Sequence, residues 1–179
     1  KESNEEAPEE ELIKMDKLAQ TIAFTSQGVA FLHSGAELLR TKQGVHNSYN
    51  SPDSINEIDW SRKVKYRAVF DYYKGLVALR KNHPAFRMLT ATMIREKLQF
   101  LPVQDPLFIA YQIAGVKDDK WKNIIVLLNG NKEGKAFSLP KGRWVLAVDG
   151  NTIKENGIRK ISGNLTVPPT SAFILYKEE

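Results

Sequence analysis

Residues 107–129, LFIAYQIAGVKDDKWKNIIVLLN, decide the fold: two runs of Ile, Leu, Val, Phe and Tyr lie on either side of a polar, glycine-led break. Short runs of β-branched and aromatic residues bounded by turn formers read as strands, and so short a link joins antiparallel neighbours. The cadence continues through KAFSL (135–139), RWVLAVD (143–149), NLTV (164–167) and SAFILYK (171–177), spaced by GNKEG, PKG and DGN. Many short strands with turn signals between them predict an antiparallel sandwich or small barrel. Its two-sided core is expected from Ile109, Tyr111, Ile125, Val126, Leu127, Trp144, Leu146, Phe173 and Leu175.

Upstream of residue 98 the period changes. Leu12, Met15, Ala19, Ile22 and Ala23 recur every three or four positions, which predicts an amphipathic helix over 12–27 that Gly28 stops. GVAFLHSG (28–35) is a short apolar run between glycines and predicts a strand buried on both faces, as in a parallel sheet, with His33 a satisfied core histidine. Residues 63–82 return to helical spacing and stop at His83-Pro84, because proline disfavours a helical residue before it; a shorter helix is expected near 92–97. The fold class is therefore α+β, with a helical part at 1–97 and an all-β part at 98–179.

Composition excludes several functions. The 179 residues contain no Cys and three scattered His, which removes thiol chemistry, disulfides and a zinc site of ordinary spacing; no cofactor and no metal ligands are expected. No run approaches the ~18 apolar residues of a membrane span. Residues 1–11 carry six acids against one Lys and read as a solvated approach to the first helix, leaving net +10 on the remainder. That positive balance lacks the aromatic stripe interleaved with bases of a stacking platform, so no nucleic-acid partner is expected. The residues assign no compartment.

The one segment without an apolar period is 41–62, TKQGVHNSYNSPDSINEIDWSR. Loops of this length in compact domains are usually functional or disordered. It concentrates Asn47, Tyr49, Asn50, Asp53, Asn56, Asp59 and Trp60, the amides, carboxylates and rings that hold sugar hydroxyls and cover a sugar's apolar faces. The same residues also make ordinary turns. The carboxylates of the all-β part, Asp118, Asp119, Glu133 and Asp149, sit in turns, and no nucleophile motif accompanies them.

Residues 28–60 as a whole, with Phe31-Leu32-His33-Ser34-Gly35-Ala36-Glu37, then Arg40-Thr41-Lys42, Asn47-Ser48-Tyr49-Asn50-Ser51-Pro52-Asp53 and Asn56, resemble the eighth barrel strand and following loop of type I pullulanases. These are debranching glycoside hydrolases of the alpha-amylase clan. The resemblance implies that 1–97 is the C-terminal remnant of a (β/α)8 barrel and 98–179 the sandwich that closes such enzymes. It implies a branched α-glucan as partner of the longer enzyme, with Asp53, Tyr49, Asn56 and Arg40 as substrate-binding candidates. It also implies that the three catalytic carboxylates lie on earlier strands, upstream of Lys1, so that no catalytic residue is expected here and the chain alone is inactive. Some relatives carry a sugar-binding Arg four residues after the aspartate, where this chain has Glu57. Glu37 and Arg40 are expected to pair and tie strand end to loop. A strand without its barrel neighbours leaves apolar surface that self-association or the flanking helices would cover. The alternative is a free-standing carbohydrate-binding or interaction module in which the sandwich does the work.

Overall fold

The computed structural model describes residues 6–177. The opening acidic segment through residue 5 lies outside them. The helical half comprises α1 (Glu9–Thr25), one-turn α2 (Asp53–Asn56), α3 (Arg62–Lys65), α4 (Arg67–Asn82) and α5 (Ala91–Lys97), with 3-10 turns at Ala36–Leu38 and Pro84–Phe86. Eight strands follow: β1 (Leu98–Phe100), β2 (Phe108–Ala114), β3 (Asn123–Asn129), β4 (Lys135–Ser138), β5 (Trp144–Val148), β6 (Arg159–Ile161), β7 (Asn164–Val167) and β8 (Ser171–Lys177).

Helix α1 starts behind Pro8 with Glu9, Glu10 and Glu11 in its first turn, where acids offset the positive end of the helix dipole. Its last turn has no base of its own, but Arg80 of α4 donates to the carbonyls of Phe24 and Ser26 at 2.9 and 2.7 Å. The expected 63–82 helix is two pieces, because Tyr66 leaves helical geometry at φ −109°, ψ 37°.

All strand pairs are antiparallel. Six strands form one sheet in the order β1-β2-β3-β8-β5-β6, and β4 and β7 form a second. Side chains alternate across the large sheet with period two. Ile124, Val126, Ala172, Ile174 and Tyr176 join Phe24, Tyr72, Leu76 and Phe86 in a core shared with the helices. Ile125, Leu127, Phe173, Leu175 and Trp144 face the other way, onto Leu165 and Val167 of β7. A bulge between Leu146 and Val148 puts both Ala147 and Val148 on the helix side. The result is three layers, helices over the large sheet over the small one.

Several expectations are corrected. Residues 29–33 form no strand; Val29 is 99% and Phe31 85% exposed, while Ala30 and Leu32 pack inward. The segment is thus covered on one face only, since no described strand lies beside it. His33 is exposed rather than in the core, because it follows this uncovered run. Ile109 is 41% exposed, on the outer end of β2. The short edge strands β1 and β6 were not expected, and the 41–62 loop contains α2. Among the described residues no helix is long and apolar enough to cross a membrane.

Candidate functional site

The loop that joins the 29–33 segment to α4 is built around two side chains, Arg40 and Asn56. Gly35, at φ +88°, makes this possible: a Cβ there would stand 2.9 Å from both Cβ and Cδ of Arg40, whose side chain folds across it. Arg40 then donates to the Asn56 carbonyl, and more weakly to that of Ser34 at 3.4 Å. The Asn56 amide donates to Ser48 and Ser51 carbonyls, both at 2.8 Å, while its Oδ1 accepts from Lys42 Nζ at 2.6 Å. Arg62 closes the other end on the carbonyls of Leu38 and Leu39. Two arginines and one amide therefore satisfy backbone carbonyls of a segment with almost no regular structure, and Lys42 steadies the amide. Desolvation, and then the Arg40 charge, hold the Lys42 amine below its ordinary range.

The expected Glu37–Arg40 pair does not form: Glu37 Oε2 accepts from the Gly35 N–H at 3.1 Å, while Arg40 is drawn to backbone carbonyls. Of the four substrate-binding candidates, the structure brings Arg40 and Asn56 together: the Asn56 amide and the two terminal nitrogens of Arg40 are engaged in the loop, while Arg40 Nε is buried without a hydrogen-bond partner. Tyr49, 86% exposed, and Asp53, exposed as the first residue of α2, present their side chains to solvent, as does Trp60. Asp59 accepts from the Ser61 hydroxyl and N–H, which hold its carboxyl below the ordinary aspartate range.

Beside the loop a cleft of about 670 Å³ is lined by Glu9, Asp16, His33, Arg40, Lys42 and Arg62. Its two carboxylates are both engaged by tyrosines, Glu9 by the Tyr66 hydroxyl and Asp16 by that of Tyr73. Among the described residues no group of three or more His, Asp or Glu is arranged to hold a metal ion.

A second polar centre escaped the sequence reading, which placed Asp119 in a turn. His83 is fully buried, with Nδ1 2.8 Å from Asp119 Oδ1; Asp119 also accepts from the N–H groups of Trp121 and Ala85 at 2.9 and 3.0 Å. Burial acts to raise the Asp119 carboxyl, but the His83 and backbone bonds outweigh it, so the group lies below its ordinary range. The usable signal was Asp119 two residues before Trp121, the spacing of a side-chain-closed turn whose carboxylate has a second oxygen to offer.

Residues 94–152 match the family described as pullulanase, all-beta domain. A pullulanase of Bacillus subtilis strain 168 is 43% identical over 125 residues, 69% of this chain and 17% of that protein. An isoamylase of Pseudomonas amyloderamosa is 29% identical over 126 residues, 64% of this chain and 16% of that protein. Among solved structures, a pullulanase from Bacillus acidopullulyticus superposes with a TM-score of 0.94 at 44% identity, over 98% of this chain and 22% of its own. The type I pullulanase of Bacillus subtilis strain 168, solved with maltose, gives 0.92 at 34% identity over 98% of this chain and 25% of its own. The chain thus spans about a fifth of the length of these relatives. Residues 94–152 belong to the pullulanase all-beta domain family, and with the helical half packed on them they resemble type I pullulanases over nearly the whole chain.

Proposed function

We propose that the chain is part of a debranching glycoside hydrolase that cleaves α-1,6-glucosidic linkages in pullulan, starch or glycogen, to which it contributes a substrate-binding loop and the all-β domain. The observation that carries this reading is the half-covered segment 29–33. Its side chains alternate in and out as a strand's do, with Ala30 and Leu32 packed and Val29 and Phe31 exposed. An apolar strand with one bare face is what a barrel strand becomes when described without its neighbours. In this reading residues 1–97 belong to the catalytic barrel, 98–179 to the sandwich, and the core between helices and sheet is where the two meet.

Asp53 and Tyr49, exposed on the ordered loop, contact the glucan; Arg40 and Asn56 hold the loop in shape beneath them. Hydrolysis of a glycosidic bond needs two carboxyl groups facing each other across it. Glu9 and Asp16, the carboxylates of the cleft, accept tyrosine hydroxyls; that the catalytic pair lies on other segments of the enzyme is what the resemblance to type I pullulanases implies. The test compares the chain alone with a longer polypeptide that supplies the rest of a barrel. The longer protein should release reducing ends from pullulan and the chain alone should not. Turnover by the chain alone, lost on changing one of its own Asp or Glu residues, would overturn the assignment, as would retention of the chain alone on a pullulan affinity gel without any effect of Tyr49→Ala.

A further inference from the structure

The buried imidazole of His83 sits at the junction of three elements: the end of α4, the turn between β2 and β3 that carries Asp119 and Trp121, and the connection from β5 to β6 that carries Glu155. Its ring stacks on Trp121 at 3.7 Å, and Trp121 stacks in turn on Tyr176 of β8 at 4.2 Å. Phe86 meets the ring edge-on at 6.4 Å. The groups on His83 that can carry charge are thus Asp119 on one nitrogen and Glu155 on the other; Tyr176 lies one ring further off.

The two nitrogens are not equivalent. Nδ1 faces a carboxylate oxygen at 2.8 Å and must carry a proton to bond to it. In the neutral ring Nε2 is then a bare lone pair. It is buried without a hydrogen-bond partner, and the nearest charged atom is Glu155 Oε1 at 3.5 Å, also an acceptor only. Two acceptors facing each other form no bond. A second proton on the ring removes the conflict: Nε2–H donates to Glu155 while Nδ1–H still donates to Asp119, and the cation lies over the Trp121 face. Glu155 is already aimed, since Asn82 Nδ2 donates to its other oxygen at 2.8 Å.

We propose that His83 is a proton-operated latch, which in its cationic form binds the β5–β6 connection to the end of α4 through Glu155 and so tightens the helical layer on the sheet. The latch is closed while both ring nitrogens carry protons, and it opens when Nε2 loses its own. It is also lost at strongly acidic pH, when the carboxylates protonate; Asp119, held below its ordinary range by its three donors, persists further into acid than a free aspartate.

The experiment is nitrogen-detected NMR of the imidazoles, with thermal unfolding followed from pH 8 to pH 5, for the wild-type chain, Glu155→Gln and His83→Gln. The His83→Gln spectrum identifies the resonance, and Glu155, on a half-exposed side chain, can be changed without disturbing the fold. In the wild type the His83 resonance should change to the imidazolium pattern on acidification; Glu155→Gln should move that change to lower pH and remove the accompanying rise in melting temperature. If His83→Gln does not fold, the Glu155→Gln comparison decides alone. A His83 ring that stays neutral until the protein unfolds, or superimposable profiles for wild type and Glu155→Gln, would overturn the latch.

Discussion

The Tyr73 hydroxyl donates to the Asp16 carboxylate, 2.8 Å from Oδ2 and 3.0 Å from Oδ1, and so ties α4 to α1. Burial raises the Asp16 carboxyl above its ordinary range, and the Tyr73 bond opposes that rise. Because the folded form of Asp16 holds its proton more tightly than the unfolded, it contributes less to stability as pH climbs through that window. Tyr73→Phe should therefore cost about 1–2 kcal/mol at neutral pH, and less at pH 4, where more of the Asp16 carboxyl carries a proton and the charge-assisted part of the bond is reduced. Urea denaturation at the two pH values measures both numbers.

The 41–62 loop separates two kinds of substitution. Asn56→Ala leaves the carbonyls of Ser48 and Ser51 and the Lys42 amine without their shared partner, and should lower stability by about 1–2 kcal/mol and increase proteolytic nicking between residues 43 and 52. In a complete debranching enzyme, Tyr49→Ala and Asp53→Ala should reduce kcat/KM on pullulan by about 1–3 kcal/mol of transition-state binding, with the melting temperature unchanged. A fall in melting temperature with unaltered kinetics would place both residues in turn formation instead.

Helix α4 carries a glycine, Gly75, where a Cβ would stand 2.9 Å from Cβ of Ile153. On an open helix face Gly→Ala gains about 1 kcal/mol. Here overpacking, at about 1–3 kcal/mol, should exceed that gain, so Gly75→Ala destabilises. Adding Ile153→Ala, which removes Cδ1 and Cγ2 at 3.1 and 3.3 Å, should restore part of the loss in a double-mutant cycle.

Phe31→Asp distinguishes a bare surface from a buried one. At 85% exposure the charge stays solvated, so the isolated chain should keep its stability within about 0.5 kcal/mol, and any self-association through this face, read by sedimentation velocity, should fall. The same change in a complete barrel should cost several kcal/mol.

Legibility in the sequence followed the range of the interaction. The alternation that puts Ile124 and Val126 on one face and Ile125 and Leu127 on the other is local, and so were the limits of β3, β7 and β8. Edge strands LQF and RKI are too short to display a period, and they exist only because β2 and β5 offer them hydrogen bonds. The GVAFLHSG run reads as a strand buried on both faces, but a run of residue types does not supply the neighbours that burial and strand pairing need, and among the described residues one face is bare and no strand forms. His83 and Asp119 are 36 residues apart, and nothing short of the packed fold brings them together. At the loop, residue chemistry singled out Asn56 and the family resemblance singled out Arg40, but their donors turn inward to backbone carbonyls, a use that the amino-acid types alone do not separate from sugar binding.

Strand β8 lies between β3 and β5, so the residues that come late in the chain occupy the middle of the large sheet. During synthesis, β1, β2 and β3 can pair as they leave the ribosome, and β5 can pair with β6, but the two groups have no shared edge until residues 171–177 emerge. Until then the long apolar flank of β3 is an open template for foreign strands. Speed of translation through residues 171–177, and chaperone cover over β3 while it waits, therefore bear on yield alongside the stability of the folded protein.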